Sequence, residues 1–155
     1  MKEINPRDQE YKEIRRAVRV LCGSFPSEYW HKVEEESGYP DKFVKALTDA
    51  GLLAALIPEE YGGGGASLTE ASVILEEINR SGANSGACHA QMYIMGTLLR
   101  HGSDEQKNKY LPKIATGELR LQSFAVSEPS TGTDTTKTKT FAEKKGERLL
   151  FGSNQ

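Results

Sequence analysis

Residues 124–134 of this 155-residue chain, Phe124-Ala-Val-Ser-Glu-Pro-Ser-Thr-Gly-Thr-Asp134, combine an apolar start with a cluster of turn and hydroxyl residues. Pro129 favours a turn, and Gly132 lacks a side chain, so another group can approach the backbone closely there. Ser127 and Thr133 add hydroxyls on either side of the turn. The stretch predicts a loop suited to contacting a planar polar ring and a phosphate, although this composition is also typical of an ordinary loop after a strand.

The chain before this stretch, residues 1–118, is predicted to be helical because its apolar residues recur at intervals of three and four. Ser67 with Glu70, and Ser103 with Gln106, have the spacing of helix-capping pairs. The predicted helices cover approximately residues 8–22, 27–36, 40–50, 68–80, 86–100 and 104–116.

Four features of this helical part give specific expectations. Leu68 should face the core of its helix, whereas Glu76 and Glu77 should be solvated, because neighbours on a helix point apart. Pro112 should kink or divide the last helix. The glycine run at 62–65 lacks the Lys-Ser/Thr pair of a phosphate-binding loop, so we expect no such site there.

After the helices the apolar period changes to two, which is typical of strands. We expect strands at residues 119–124, 136–140 and 148–151, the second with Lys137 and Lys139 on a solvated face. Three strands leave an open sheet edge. We therefore expect the chain to be the first part of a larger protein; a disordered C-terminal tail is the alternative.

The composition excludes several classes of function. Twenty Lys and Arg against 22 Asp and Glu give a net charge of −2, without a basic excess for nucleic acid or an anionic membrane. No apolar run is long enough for a transmembrane helix, and the polar N-terminus does not resemble a secretory signal. The two cysteines and three scattered histidines predict no metal site. We expect a cytoplasmic protein.

The stretch 124–134 resembles the flavin-binding signature of the acyl-CoA dehydrogenase family, aromatic-x-Val-(Thr/Ser)-Glu-Pro-x-x-Gly-(Ser/Thr)-Asp. Segments 52–65 and 101–118 are similar to the family's loop between early helices and to the helix before its sheet. Segment 150–153 stands where the family usually has Asn-Gly-x-Lys. The resemblance covers about residues 8–155, nearly the whole chain.

This resemblance implies a mainly α fold, with an N-terminal helical bundle of the acyl-CoA dehydrogenase type followed by the first strands of an incomplete antiparallel β-domain. The implied domains are residues 1–118 and 119–155. Family members also have a C-terminal helical domain and assemble as homotetramers. That domain supplies the catalytic glutamate, which we expect beyond Gln155, so no catalytic residue is assigned in this chain.

The resemblance implies FAD as the cofactor. Six residues match positions that border it: Phe124, Ala125, Val126, Ser127, Gly132 and Thr133. Ser127 matches the hydroxyl residue at the pyrimidine edge of the isoalloxazine ring, and Gly132 with Thr133 matches the pair near the pyrophosphate. Fixed donors at these places stabilise the negative charge that a flavin gains on reduction.

The resemblance also implies an acyl-CoA thioester as substrate. Thr133 matches a position that touches the thioester side, and the helix at 86–100 corresponds to one that lines the acyl pocket. Ser85, His89 and Tyr93 are one turn apart and share a face, so we expect them to set acyl length or polarity. The alternative is that His89 and Tyr93 are core residues with internal hydrogen bonds.

The implied reaction is α,β-dehydrogenation of an acyl-CoA in fatty acid metabolism, with hydride transfer to flavin N5 and an electron-transfer flavoprotein as acceptor. Two alternatives stay open: a flavin oxidase or monooxygenase of the same fold, and a non-catalytic helical module. Alone, the chain is expected to be inactive and to bind FAD weakly or not at all, because most of the cofactor's surface would face water.

Overall fold

The computed structural model describes residues 10–123 and 126–153, which belong to two compact units divided between Ser123 and Phe124. The described part of the first unit is helical: α1 (Lys12–Gly23), α2 (Ser27–Glu35), α3 (Asp41–Asp49), α4 (Leu68–Arg80), α5 (Gly86–His101) and α6 (Asp104–Thr116). Two short 3₁₀ turns, Leu52–Ala54 and Glu59–Tyr61, lie between α3 and α4.

The described part of the second unit contains a 3₁₀ turn, Thr135–Lys137, and the strands β1 (Thr140–Lys145) and β2 (Arg148–Ser153). The strands pair antiparallel, with Thr140 opposite Ser153 and Lys145 opposite Arg148. The predicted mainly α chain with the start of an antiparallel sheet is confirmed.

Two capping boxes fix where α4 and α6 begin. The Ser67 hydroxyl accepts a hydrogen bond from the Glu70 N–H (3.2 Å), and the Glu70 carboxylate accepts one from the Ser67 N–H (2.7 Å). Ser103 and Gln106 exchange the same pair of bonds, at 3.2 and 2.9 Å. Each box satisfies donors that the first turn of a helix leaves without a partner, and both were predicted.

Helix α6 continues through Pro112, so of the two predicted outcomes, a kink or a division, the division does not occur. Proline removes one hydrogen bond of the helix, to the carbonyl four residues back. The helix continues because Leu111 and Ile114, on either side of Pro112, are 0% and 1% exposed in the core. Burial of a large apolar side chain contributes about 1.5–3 kcal/mol, which is comparable with the cost of the proline.

Among the described residues, the buried apolar side chains form two clusters. One unites α1, α3 and α4, and its fully buried side chains include Val18, Phe43, Leu47 and Ile78. The other unites the segment before the glycine run with α5 and α6 through Ile57, Met95, Leu111 and Ile114.

The glycine run at 62–65 packs against the core segment that precedes it. Its main-chain N–H groups donate to carbonyls of that segment: Gly63 to Pro58 (3.2 Å), Gly64 to Ala54 (3.1 Å) and Gly65 to Ile57 (2.8 Å). A Cβ at Gly63 would lie only 2.1 Å from the Ile57 oxygen. These three N–H groups are therefore already used in hydrogen bonds within the protein.

Glu77 is buried, and its predicted solvation is wrong. It is 1% exposed because α1 covers this face of α4 and brings two guanidinium groups to it. Arg15 donates to Glu77 at 2.6 Å, and Arg19 donates twice, at 2.6 and 3.0 Å. The hydrogen bonds from Arg19, which have the larger influence, and from Arg15 hold the pKa of Glu77 below its usual value. The neighbouring Glu76 side chain is half-exposed, as predicted.

Leu68 is 75% exposed instead of facing the core. It is the first residue of α4, and the buried stripe of this helix begins one turn later, at Ala71.

The segment 119–123 is not a strand, contrary to the prediction. Side chains hold it against α3 and the loop before α3: Arg120 donates to the Thr48 hydroxyl (3.0 Å), and the Tyr39 hydroxyl donates to Gln122 (2.5 Å). The predicted strand at 136–140 is also wrong, because a 3₁₀ turn at 135–137 delays β1 until Thr140. The strand predicted at 148–151 is confirmed within β2.

Candidate functional site

The loop that precedes β1 contains four of the six residues predicted to border FAD. A tight turn forms its first part, because the Glu128 N–H donates to the Thr131 oxygen (2.8 Å) and the Thr131 N–H donates back (3.1 Å). Pro129 lies inside this turn, as predicted from its fixed φ. The Thr131 hydroxyl then donates to the Asp134 oxygen (2.6 Å), which continues the chain of local bonds.

Asp134 ends the loop by capping the 3₁₀ turn. Its carboxylate accepts hydrogen bonds from the hydroxyl and the main-chain N–H of Thr136, and it forms an ion pair with Lys137 (3.0 Å). The Thr136 hydroxyl is the largest of the influences that lower the pKa of Asp134. The aspartate that ends the family signature is therefore used here to shape the chain.

Glu128 connects the beginning of the loop to the beginning of β1. One carboxylate oxygen accepts the Lys139 N–H (2.8 Å), and the other accepts the Thr140 N–H (2.7 Å). The Thr140 side chain and these two main-chain donors lower the pKa of Glu128. The prediction that Glu128 shapes the loop is confirmed. Its partners could not be predicted from the sequence, because main-chain N–H groups are present at almost every residue.

The predicted flavin donors lie on the exposed side of this loop. Ser127, Gly132 and Thr133 are exposed, and Val126 is half-buried. Within 10–123 and 126–153, no residue forms a hydrogen bond with the hydroxyl of Ser127 or Thr133. Phe124 and Ala125, also predicted to border FAD, lie outside the described residues.

The absence of a side chain at Gly132 has no cause within the described chain. A Cβ built there would meet only the Ser127 hydroxyl oxygen, at an ordinary contact distance of 3.9 Å. Neither packing nor a steric clash therefore requires glycine at this position. This loop thus fits a cofactor that approaches the main chain closely and accepts hydrogen bonds from two unused hydroxyls.

The residues predicted to contact substrate lie in the first unit. His89 and Tyr93 of α5 form an edge-to-face ring pair, with centroids 5.1 Å apart and planes at 82°. His89 is exposed and Tyr93 is half-buried, so His89 is not a core residue. Ser85 precedes α5, and its hydroxyl donates to Asn79 near the end of α4 (3.1 Å). The predicted shared face is therefore formed by His89 and Tyr93, whereas the Ser85 hydroxyl joins two helices.

Within residues 10–123 and 126–153, no three His, Cys, Asp or Glu side chains lie close enough together to hold a metal ion. None of the helices described above has the length and apolarity needed to cross a membrane. Cys22 and Cys88 are buried free thiols.

Comparisons with known proteins agree with the helical fold and the signature. Residues 8–118 match the family model described as the acyl-CoA dehydrogenase N-terminal domain. The chain belongs to the acyl-CoA dehydrogenase family. Mitochondrial isovaleryl-CoA dehydrogenase from Bos taurus is 32% identical over 157 aligned positions, which cover 98% of this chain and 36% of that protein.

Two solved structures are similar in fold. Acyl-CoA dehydrogenase from Geobacillus kaustophilus has a TM-score of 0.79 and 26% identity, covering 98% of this chain and 39% of that one. Acyl-CoA dehydrogenase complexed with FAD from Bacillus anthracis has a TM-score of 0.72 and 30% identity, covering 93% and 26%. The chain thus spans little more than a third of the length of the bovine relative.

Proposed function

We propose that this chain provides the flavin-contacting loop and part of the acyl-pocket wall of an FAD-dependent acyl-CoA dehydrogenase. The observation that carries the proposal is the loop at 126–134. It presents two exposed hydroxyls without partners among the described residues, beside a glycine that the chain's own packing does not require. Family membership and the FAD complex of a similar dehydrogenase support the choice of cofactor.

FAD would supply a two-electron acceptor whose N5 takes hydride from the acyl Cβ as a proton leaves Cα. Ser127 donates its hydroxyl to the pyrimidine edge of the ring, where a fixed donor favours added negative charge. Gly132 lets the pyrophosphate approach the main chain closely. Thr133 provides its N–H and hydroxyl as donors to the pyrophosphate and also contacts the thioester side of the substrate. Val126 borders the ring, and the assignment of Phe124 and Ala125 to the same border stays a prediction.

On the acyl side, we assign His89 and Tyr93 to the pocket wall, with Ser85 at the beginning of the same helix. The edge-to-face contact limits the rotamers of both rings, so the two side chains present a defined surface. An exposed imidazole beside a phenol gives this surface a polar part, and it therefore disfavours acyl chains that would bury the two groups without hydrogen bonds.

The proposal extends to the organisation of the whole protein. Residues 1–118 form the N-terminal helical domain and 119–155 begin the middle β-domain. The working enzyme is a cytoplasmic homotetramer of fatty acid metabolism that passes its electrons to an electron-transfer flavoprotein. The glutamate that acts as base belongs to a segment beyond Gln155.

A chimera tests this function. The corresponding N-terminal part of the bovine relative is replaced by residues 1–155, and the purified chimera is assayed for bound flavin and for anaerobic bleaching of flavin absorbance by acyl-CoA thioesters. We expect retained FAD, bleaching, and slow reoxidation by O₂. Rapid reoxidation by O₂ would favour an oxidase. A chimera that folds as a tetramer but retains no FAD would contradict the proposal.

A further inference from the structure

The loop at 126–140 has almost no hydrophobic packing of its own. Between Val126 and Thr140 only Val126, Glu128 and Thr131 are even partly buried, and the other residues are exposed. The conformation of this stretch therefore depends on its polar contacts, since burial of apolar surface contributes little.

The contacts of Glu128 are the ones that span the greatest distance along this loop. Its carboxylate binds the N–H groups of two successive residues, Lys139 and Thr140, which are 11 and 12 positions away. The other polar contacts among the described residues of the loop join residues three or fewer positions apart, such as Thr131 with Asp134. Without Glu128, the local turns would persist, but the ends of the loop would be free to separate.

The Glu128 contact also bears on the spacing of the flavin donors. Ser127 directly precedes Glu128, whereas Gly132 and Thr133 lie inside the segment that Glu128 closes. The Ser127 hydroxyl oxygen lies beside Gly132, 3.9 Å from where a Cβ would be. A carboxylate that binds two N–H groups at once fixes direction as well as distance, so the donors are held in one arrangement before any ligand arrives.

We propose that Glu128 is a positioning residue for the flavin site: its carboxylate closes residues 128–140 into a preformed loop that holds Ser127, Gly132 and Thr133 in register. The inference rests on the proposed function for its ligand, FAD. It assigns to this acidic residue of the signature a role that involves no proton transfer. A preorganised site binds more tightly because the cost of ordering the loop is met on folding.

Two substitutions and a matched control test this role in the full 155-residue chain. Glu128→Gln removes the charge at constant size and places an amide N–H against a main-chain N–H; Glu128→Asp keeps the charge but shortens the side chain. Glu147→Gln, in the exposed hairpin turn, makes the same change of charge away from the loop. Far-UV circular dichroism of each variant reports whether the helical unit is intact.

The first readout needs no flavin and consists of amide hydrogen exchange and amide chemical shifts. In Glu128→Gln we expect exchange at Lys139 and Thr140 to be about tenfold faster, since bonds to a charged acceptor are strong, and the amide signals of Ser127, Gly132 and Thr133 to move. The exchange rates and amide shifts of Glu128→Asp should lie between those of Glu128→Gln and those of the unaltered chain. Those of Glu147→Gln should match the unaltered chain. Unchanged amide signals at the three donors in Glu128→Gln would overturn the proposal.

The second readout is an FAD titration followed at the same three amides. We expect the shifts that FAD induces in the unaltered chain to be lost or weakened about tenfold in Glu128→Gln and kept in Glu147→Gln. Equal FAD responses in the two variants would overturn the positioning role. If FAD perturbs none of these amides in the unaltered chain, flavin retention by the chimera decides the flavin assignment, and the flavin-free readout still decides whether Glu128 orders the loop.

Discussion

Glu77→Gln is the substitution with the largest predicted effect on stability. The change keeps the size of a side chain that is 1% exposed, removes its charge, and leaves Arg15 buried at 4% exposure. Removal of one partner of a buried ion pair typically costs about 3–5 kcal/mol. We expect a loss near the lower limit, about 3 kcal/mol, because Arg15 keeps its bond to Glu76 (2.9 Å) and the half-exposed Arg19 can be solvated.

Glu76→Gln is the matched control. It makes the same chemical change at the adjacent residue, whose side chain is 50% exposed and forms one ion pair with Arg15. Exposed pairs contribute about 0–1 kcal/mol, so Glu76→Gln should be nearly neutral. Urea unfolding followed by the far-UV signal of the helices gives both free energies of unfolding, provided that the slope with urea is unchanged. Equal destabilisation of the two variants would refute the account of Glu77.

The pH dependence of stability gives a second check on the same residue. Hydrogen bonds from Arg19 and Arg15 lower the pKa of Glu77 in the folded chain, whereas a glutamate in an unfolded chain has a pKa of about 4.3. Its stabilising contribution is therefore complete above that pH and is lost as the pH falls through the folded pKa. Below about pH 4.3 the urea midpoint of the unaltered chain should fall more steeply than that of Glu77→Gln, and parallel profiles would contradict this.

Two further substitutions test other parts of the fold. Tyr39→Phe removes the hydroxyl that donates to Gln122. It should lower the free energy of unfolding by about 1 kcal/mol and accelerate amide exchange in residues 119–123. Unchanged exchange there would show that the bond does not hold the segment. Gly63→Ala places a Cβ 2.1 Å from the Ile57 oxygen and should cost about 1–3 kcal/mol in urea unfolding, more than Gly23→Ala, where no atom lies within 4 Å.

The helices could be predicted from the sequence because their signals are local. The Ser67–Glu70 and Ser103–Gln106 boxes join residues three positions apart, and the structure shows both. The burial of Glu77 depends on arginines 58 and 62 positions away. Nothing in the sequence around α4 indicates those partners, so the sequence predicts solvation for Glu77 as well as for Glu76.

The candidate site also combines features that the sequence predicts with one that it does not. The spacing of Ser127, Gly132 and Thr133 predicts a loop with exposed donors, and the structure has one. The closure of that loop by Glu128 could not be predicted, because its partners are main-chain groups whose availability depends on where β1 begins. The sequence places that strand four residues too early.

The measurement that tests the central claim most directly is an FAD titration of the 155-residue chain, followed at every assigned amide. We predict that the largest shifts occur at Ser127, Gly132 and Thr133, that binding is weaker than micromolar, and that Ser127→Ala reduces the response more than Ser130→Ala at the exposed neighbouring position. An FAD response concentrated in the helices instead of at these three amides would contradict the claim that this loop contacts the flavin.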